Sequence, residues 1–162
     1  MNYFELFEIP ESPIVDQEIV SKKYITLQRK YHPDFFQDAT ESEKEEVLNQ
    51  SAEINKAYKI FKNDQSTIEY FLTIKGQIQE EEKYSLPADF LMEMMELNED
   101  LMGEEPNSVK VKLQALESFI YQPIENVMKN LPMEWSEQDL QKVKEYYYKK
   151  KYLERILDRL ED

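Results

Sequence analysis

Apolar residues along the chain recur at helical spacing, in runs separated by polar or proline-marked breaks. Val20, Tyr24, Leu27 and Tyr31 repeat at 4-3-4 spacing and define one face of a helix. That helix must stop near Pro33, because proline lacks an N–H and pushes the residue before it out of helical angles. Asp16 and Glu18 lie in its first turn, where carboxylates suit the helix dipole. Thr40 with Glu43 has the form of a capping box and opens a second helix through Val47, Ser51, Ile54, Tyr58 and Phe61. A shorter helix runs from about Ser66 through Ile68, Phe71, Leu72 and Ile74 and closes on Gly76 as its C-cap. Ahead of all three, Tyr3-Phe4-Glu5-Leu6-Phe7 predicts one helical turn packed under the hairpin, with Pro10 and Pro13 beyond it.

The pattern lapses from Gln77 to Ser85, a polar stretch carrying Glu80, Glu81 and Glu82, and a domain boundary is expected there. The division read from the pattern is 1–76, a linker over 77–86, and 87–162. Ser85 or Leu86 should stand near an N-cap with Pro87 in the first turn of a helix from about Ala88 to Met102. Phe90, Met94, Leu97 and Leu101 form its core stripe. Leu91, Met92 and Met95 form a second apolar strip well round the cylinder, bordered by Glu96 and Glu99. A helix on the outside of a small bundle needs one buried stripe. The second implies either a broad core face, with the helix sandwiched between two others, or a surface for a partner, which methionine suits because it adapts to irregular contacts.

Gly103 through Pro106 reads as a turn. A long helix follows from about Ser108 to Leu131, with Val111, Ala115, Phe119, Val127 and Leu131 as its apolar series and Pro123 expected to kink or divide it. Ser136 should cap the last helix, which keeps Val143, Tyr146, Leu153, Leu157 and Leu160 roughly on one side. Tyr148 and Tyr152 point elsewhere, among Lys144 and Lys151, where they can lie on a neighbouring helix. The fold class is therefore all-α: a helical hairpin, then a three-helix antiparallel bundle.

Composition narrows the function. Two glycines in 162 residues and 12% aromatic content fit a folded helical protein. No apolar stretch approaches the length of a membrane span, and the N-terminus shows neither a signal-peptide nor a transit-peptide pattern. Zero cysteines exclude disulfides, thiolate metal sites and cysteine nucleophiles. The net charge is −14. Residues 1–76 hold 9 Lys and Arg against 14 Asp and Glu (−5), and residues 77–162 hold 11 against 20 (−9), so nonspecific nucleic-acid binding is not expected. One histidine without cysteine, phosphate-binding glycines or clustered ligands gives no basis for an enzyme, a metal or a cofactor.

Against this acidic background Lys22, Lys23, Arg29 and Lys30 share one arc of the first long helix, beside and opposite its apolar face. They lead to Tyr31-His32-Pro33-Asp34, a proline-stiffened tip presenting the chain's one imidazole and a carboxylate. Surface lysines are usually only solvated, but four cations on one arc of an acidic chain favour an acidic docking partner. Two antiparallel helices joined at a His-Pro-Asp tip, with Tyr24, Leu27 and the run Ile54-Asn55-Lys56-Ala57-Tyr58, resemble the J-domain.

Followed by an acidic three-helix bundle, it resembles the HscB family of co-chaperones of iron–sulfur cluster assembly, essentially end to end. The match includes Tyr3-Phe4-x-Leu6-Phe7, Leu27-Gln28-Arg29-Lys30-Tyr31-His32-Pro33-Asp34, Ser51-Ala52-x-Ile54-Asn55-x-Ala57, Glu69-Tyr70-Phe71-Leu72, Gly76 and Phe90-Leu91-Met92-Glu93-x-x-Glu96-Leu97. The resemblance implies that His32, Pro33 and Asp34, with the basic arc, engage and stimulate the ATPase of a specialised DnaK-type (HscA-like) chaperone. It implies that Leu91, Met92, Met95, Glu96 and Glu99, with Tyr152, bind the iron–sulfur scaffold protein (IscU-like). Two positions depart from the family pattern: Phe35 stands where a basic residue is usual, and Gly103 where an acidic one is frequent. The cysteine pairs that precede the J-domain in eukaryotic relatives are absent, which points to a bacterial cytoplasmic protein. The rival expectation is a J-protein whose bundle serves another client or dimerises; it shares the tip but has no need of an exposed Leu91, Met92 and Met95.

Overall fold

The computed structural model describes residues 1–79, 82–103 and 106–161, apart from the side chains of residues 106, 160 and 161. Glu80 and Glu81, the middle of the turn before Pro106 and the Leu160 side chain lie outside the described residues. All regular structure among the described residues is helical, in two compact units, Met1–Ile74 and Lys75–Asp162.

In the first unit, α1 (Tyr3–Leu6) is the expected single turn, capped by the Asn2 side chain, which accepts from the Glu5 N–H. Its Phe4, and Phe7 just beyond, are fully buried. Phe4 meets Phe61 at 5.1 Å between ring centroids, and Tyr3 stacks on Tyr70 at 5.0 Å. Next come α2 (Gln17–Lys30), a 3₁₀ turn (Pro33–Phe36), α3 (Glu41–Phe61) and α4 (Asp64–Ile74). Asp16 caps α2 by accepting from the N–H groups of Glu18 and Ile19, and the Thr40 hydroxyl caps α3 by accepting from the Glu43 N–H. α4 starts two residues earlier than its apolar pattern suggested. Asn63 draws the start back by accepting from the Ser66 N–H, and the buried Thr67 hydroxyl bonds back to the preceding turn. Gly76 has φ +73°, the left-handed value that ends a helix and that glycine alone adopts without strain.

In the second unit α5 (Ala88–Leu101), α6 (Pro106–Lys129) and α7 (Glu137–Glu161) form the bundle. Pro87 is the N-cap of α5 with extended backbone (φ −55°, ψ 140°), so the helix begins after it. Phe90, Met94 and Leu101 are buried with Ile120, Leu153 and Ile156, as expected for α5. Ser136 caps α7, its hydroxyl accepting from the Asp139 N–H. Tyr146 and Leu157 pack at the edge of this core and Val143 is buried.

α6 departs from expectation. Val111, Ala115 and Phe119 face outward, Val111 and Phe119 staying more than half exposed, and Leu131 lies beyond the helix, also exposed. The buried face is Val109, Leu113, Leu116, Ile120, Ile124 and Met128, with Val127 half-buried beside it. Two apolar series run along this helix, and packing against the α5 and α7 side chains Phe90, Met94, Leu101, Leu153 and Ile156 selects the second. The true series also carries the larger side chains. Pro123 does not divide α6, which runs unbroken from Pro106 to Lys129. Its ring removes an acceptor bond from the Phe119 carbonyl, and that turn is on the exposed face, where water can replace the bond.

Candidate protein-binding sites

The tip between α2 and α3 is built by proline and its neighbours. His32 has extended backbone (φ −72°, ψ 128°), as the residue before a proline should, and caps the 3₁₀ turn with its own side chain: Nδ1 accepts from the Asp34 N–H at 3.2 Å. That bond leaves the proton of the neutral ring on Nε2, the nitrogen away from the turn. The Asp34 carboxylate lies 3.5 Å from Nδ1 and is 76% exposed, and the imidazole is 46% exposed. A donor and an acceptor are thus held side by side, facing solvent, on backbone stiffened by Pro33. The Phe35 side chain, 71% exposed, stands edge-on to His32 at 6.0 Å between ring centroids. Behind the tip Pro33, Phe36, Val47 and Leu48 enclose an apolar hollow of about 320 Å³. Of these four, only Pro33 was a candidate from sequence; an isolated Phe36 and a Leu48 off the core stripe carry no signal until the two helices are brought together.

The hairpin that presents the tip is pinned by polar contacts within its apolar stripe. Tyr24 of α2 stacks on Tyr58 of α3 at 3.8 Å, with the rings 10° apart. The Tyr24 hydroxyl donates to Asn55 Oδ1 (2.9 Å) and accepts from Gln28 Nε2 (3.0 Å), and Gln28 Nε2 also reaches Asn55 Oδ1 (2.6 Å). Asn55 and Gln28 therefore set the register of α2 against α3, and with it the position of the tip. On the outer side of α2, Lys22, Arg29 and Lys30 are exposed and Lys23 is half-buried. Lys22 pairs with Glu18 at 3.2 Å, Lys23 with Glu8 at 3.5 Å, and the Lys30 ammonium lies over the Tyr31 ring. Exposed pairs of this kind are worth well under about 1 kcal/mol, so they yield readily to an external carboxylate.

On the second unit α5 leaves its second apolar strip largely outside the core. Met92 and Met95 are each 62% exposed, Glu96 and Glu99 are exposed, and Leu91 is half-buried. Tyr152 is also half-buried: its ring meets Phe90 edge-on at 6.1 Å and packs at the border of the core, so it presents part of its surface rather than a free ring. Leu91 and Tyr152 come together in one groove of about 580 Å³, whose far wall is the segment Glu82–Leu86. Part of the stretch read as a linker is thus fastened to α7. Lys144, almost buried, donates to the Glu82 carboxylate at 2.7 Å, the Tyr148 hydroxyl donates to the same carboxylate at 3.1 Å, and Tyr84 stacks on Tyr148 at 4.4 Å. The Lys144 hydrogen bond, reinforced by that of Tyr148, lowers the Glu82 carboxyl below its ordinary pKa, and burial raises the Tyr84 phenol. These contacts join residues more than 60 positions apart and were invisible in sequence; the alternation Tyr84, Leu86 was the one available sign of an extended segment lying on the bundle.

Among the described residues, no group of three or more His, Cys, Asp or Glu side chains could hold a metal ion, and no helix is long and apolar enough to cross a membrane. Both sites offer surface chemistry: hydrogen bonding and charge at the tip, apolar contact with a charged border on α5.

Two family models match the chain, one in each unit. Residues 2–70 match the family model of the DnaJ domain, and residues 86–161 match that of the HSCB C-terminal oligomerisation domain. The co-chaperone protein HscB of Buchnera aphidicola is 34% identical over 160 residues, covering 98% of this chain and 92% of its own. The HscB homolog of Shewanella halifaxensis is 33% identical over 166 residues, covering 99% and 95%. Among solved structures, human co-chaperone HscB superposes with a TM-score of 0.73 at 29% identity, covering 99% of this chain and 81% of its own. Chaperone HscB from Vibrio cholerae gives 0.63 at 27%, covering 99% of both. On these matches, together with a His-Pro-Asp tip on a helical hairpin and a three-helix bundle that follows in the sequence, the chain belongs to the HscB family of J-domain co-chaperones.

Proposed function

We propose that this protein stimulates the ATPase of a DnaK-type (HscA-like) chaperone through His32, Pro33 and Asp34, steered by Lys22, Lys23, Arg29 and Lys30. We further propose that it delivers an iron–sulfur scaffold protein (IscU-like) to that chaperone through Leu91, Met92, Met95, Glu96, Glu99 and Tyr152. Residues 1–76 then serve as the J-domain, 77–86 as the linker and 87–162 as the scaffold-binding domain, acting in the bacterial cytoplasm as a partner of an enzyme and not as one. The observation that carries the delivery reading is on α5. Its inner face is satisfied by Phe90, Met94 and Leu101, yet Met92 and Met95 remain 62% exposed on the opposite side. Two methionines exposed side by side with a charged border suit a partner surface, because methionine adapts to irregular contacts.

The test combines two assays on the full chain. Asp34→Asn should abolish stimulation of the chaperone's ATPase while leaving scaffold binding and the melting temperature unchanged, because Asp34 is exposed and holds no part of the core. A folded Asp34→Asn protein that stimulates fully would remove the tip from the mechanism. A second reading, self-association, is favoured by the exposed Val111 and Phe119 on α6 and by the name of the matched C-terminal family model. Sedimentation equilibrium separates the two, since a monomer at all concentrations leaves that face without a second copy.

A further inference from the structure

The groove beside Leu91 is lined by cations although the second unit is acidic as a whole. Residues 77–162 carry 20 acidic against 11 basic side chains, yet Lys151 and Arg155 converge on this one hollow, with Lys83 on the same lining. Among the described residues neither Lys151 nor Arg155 forms an ion pair; the Lys151 ammonium rests over the Tyr147 ring at 5.7 Å. The carboxylate that lines the groove, Glu82, is already engaged by Lys144 and Tyr148. That engagement, with the Tyr84–Tyr148 stack, holds the groove wall in place, so the hollow is built into the fold.

The two ends of the surface carry opposite charge. Leu91 and Tyr152 line the cationic groove, while Glu96 and Glu99 lie five and eight residues further along α5, which is roughly 8 and 12 Å at the helical rise. Met92 and Met95 occupy the ground between. Resting on the scaffold-binding reading above, we propose that the groove receives a carboxylate-bearing segment of the client scaffold, at Lys151 and Arg155, while basic side chains of the same client meet Glu96 and Glu99. The charge pattern then sets the direction in which the client lies. Reversed, it would place like charges together at both ends, and such juxtaposition discriminates more strongly than it adds affinity. Arginine suits the cationic end because its planar fork binds a carboxylate through two parallel hydrogen bonds.

The experiment is a titration of the full chain with the iron–sulfur scaffold protein of the same organism, by calorimetry, in four forms: wild type, Lys151→Glu with Arg155→Glu, the milder Lys151→Gln with Arg155→Gln, and Met92→Ala with Met95→Ala. The glutamate pair should weaken binding at least tenfold, the glutamine pair less, with the Trp135 fluorescence melt unchanged in both. Replacing an acidic residue of the scaffold by lysine should restore binding to the glutamate pair and not to wild type. If both charge variants bind as wild type while the methionine pair does not, the groove plays no part and the scaffold-binding reading stands without it. If the methionine pair also binds as wild type, that reading falls and this inference falls with it.

Discussion

Phe90 and Met92 are two residues apart on α5 and should respond oppositely to truncation. Phe90 is 5% exposed and packs against Tyr152 and the buried side chains of α6 and α7. Phe90→Ala removes a buried aromatic and leaves a cavity, at a typical cost of about 3–5 kcal/mol. Full burial of a methionine side chain is worth about 1.5–3 kcal/mol, and Met92 and Met95 are each 62% exposed, so only about four-tenths of that, near 0.6–1.1 kcal/mol each, is at stake. Extended-chain accounting makes even that an upper bound, and alanine's helix propensity returns a little. For a unit of this size each kcal/mol moves the melting temperature by roughly 4–8 °C. Phe90→Ala should therefore lower it by roughly 12–40 °C, and the Met92→Ala, Met95→Ala pair by less than half as much, with roughly 5–18 °C as its ceiling. Trp135, the single tryptophan, sits just ahead of α7, so its fluorescence follows the second unit alone. Scaffold binding should show the reverse order at a temperature where both variants are folded: the methionine pair should lose at least tenfold in Kd, about 1.4 kcal/mol, and Phe90→Ala far less. If the methionine pair unfolds the unit as Phe90→Ala does, those side chains are core and the generic J-protein reading gains.

Two further outcomes follow from charge. Association with the chaperone should slow as salt rises and should slow again in a Lys22→Glu, Arg29→Glu variant, since exposed charges are screened beyond about 8 Å at physiological ionic strength; salt-independent association would rule out steering. Glu82→Gln should destabilise the second unit by about 1–2 kcal/mol at pH 7, because it removes a charge-assisted hydrogen bond and leaves Lys144 almost buried without its partner. The Glu82 pKa is lowered on folding, so its stabilisation is complete above the unfolded value of 4.5 and is lost as pH falls from there through the folded value. The gap in melting temperature between wild type and Glu82→Gln should accordingly narrow below about pH 4.5, and a gap independent of pH would show that Glu82 does not titrate against Lys144.

What could be read in the sequence was local. The periodicity of Val20 to Tyr31 and of Val47 to Phe61 is a property of single helices, and Pro33 ends a helix whatever surrounds it. The two strips of α5 were separable on a helical wheel, because a 3.6-residue repeat fixes which side chains share a face. The His-Pro-Asp tip and the Phe90 to Leu97 run were specific enough to indicate the family. On α6 the same reasoning failed: two apolar series run along that helix, and the choice between them belongs to the neighbours that bury one of them.

Tertiary structure decided everything that needs two distant segments. Asn55 and Gln28 read as ordinary polar positions until Tyr24 is placed against Tyr58 between them. Tyr152 read as a surface candidate, and its half-buried ring against Phe90 assigns it to the border of core and patch. Residues 82–86 read as linker, and the Glu82–Lys144 pair turns them into the wall of a groove. The reason is common to all three. Helix formation and capping draw on residues within about four positions of one another, whereas a hydrogen bond or a stacked ring gains its energy from whatever partner the packing supplies, and sequence distance does not limit that choice.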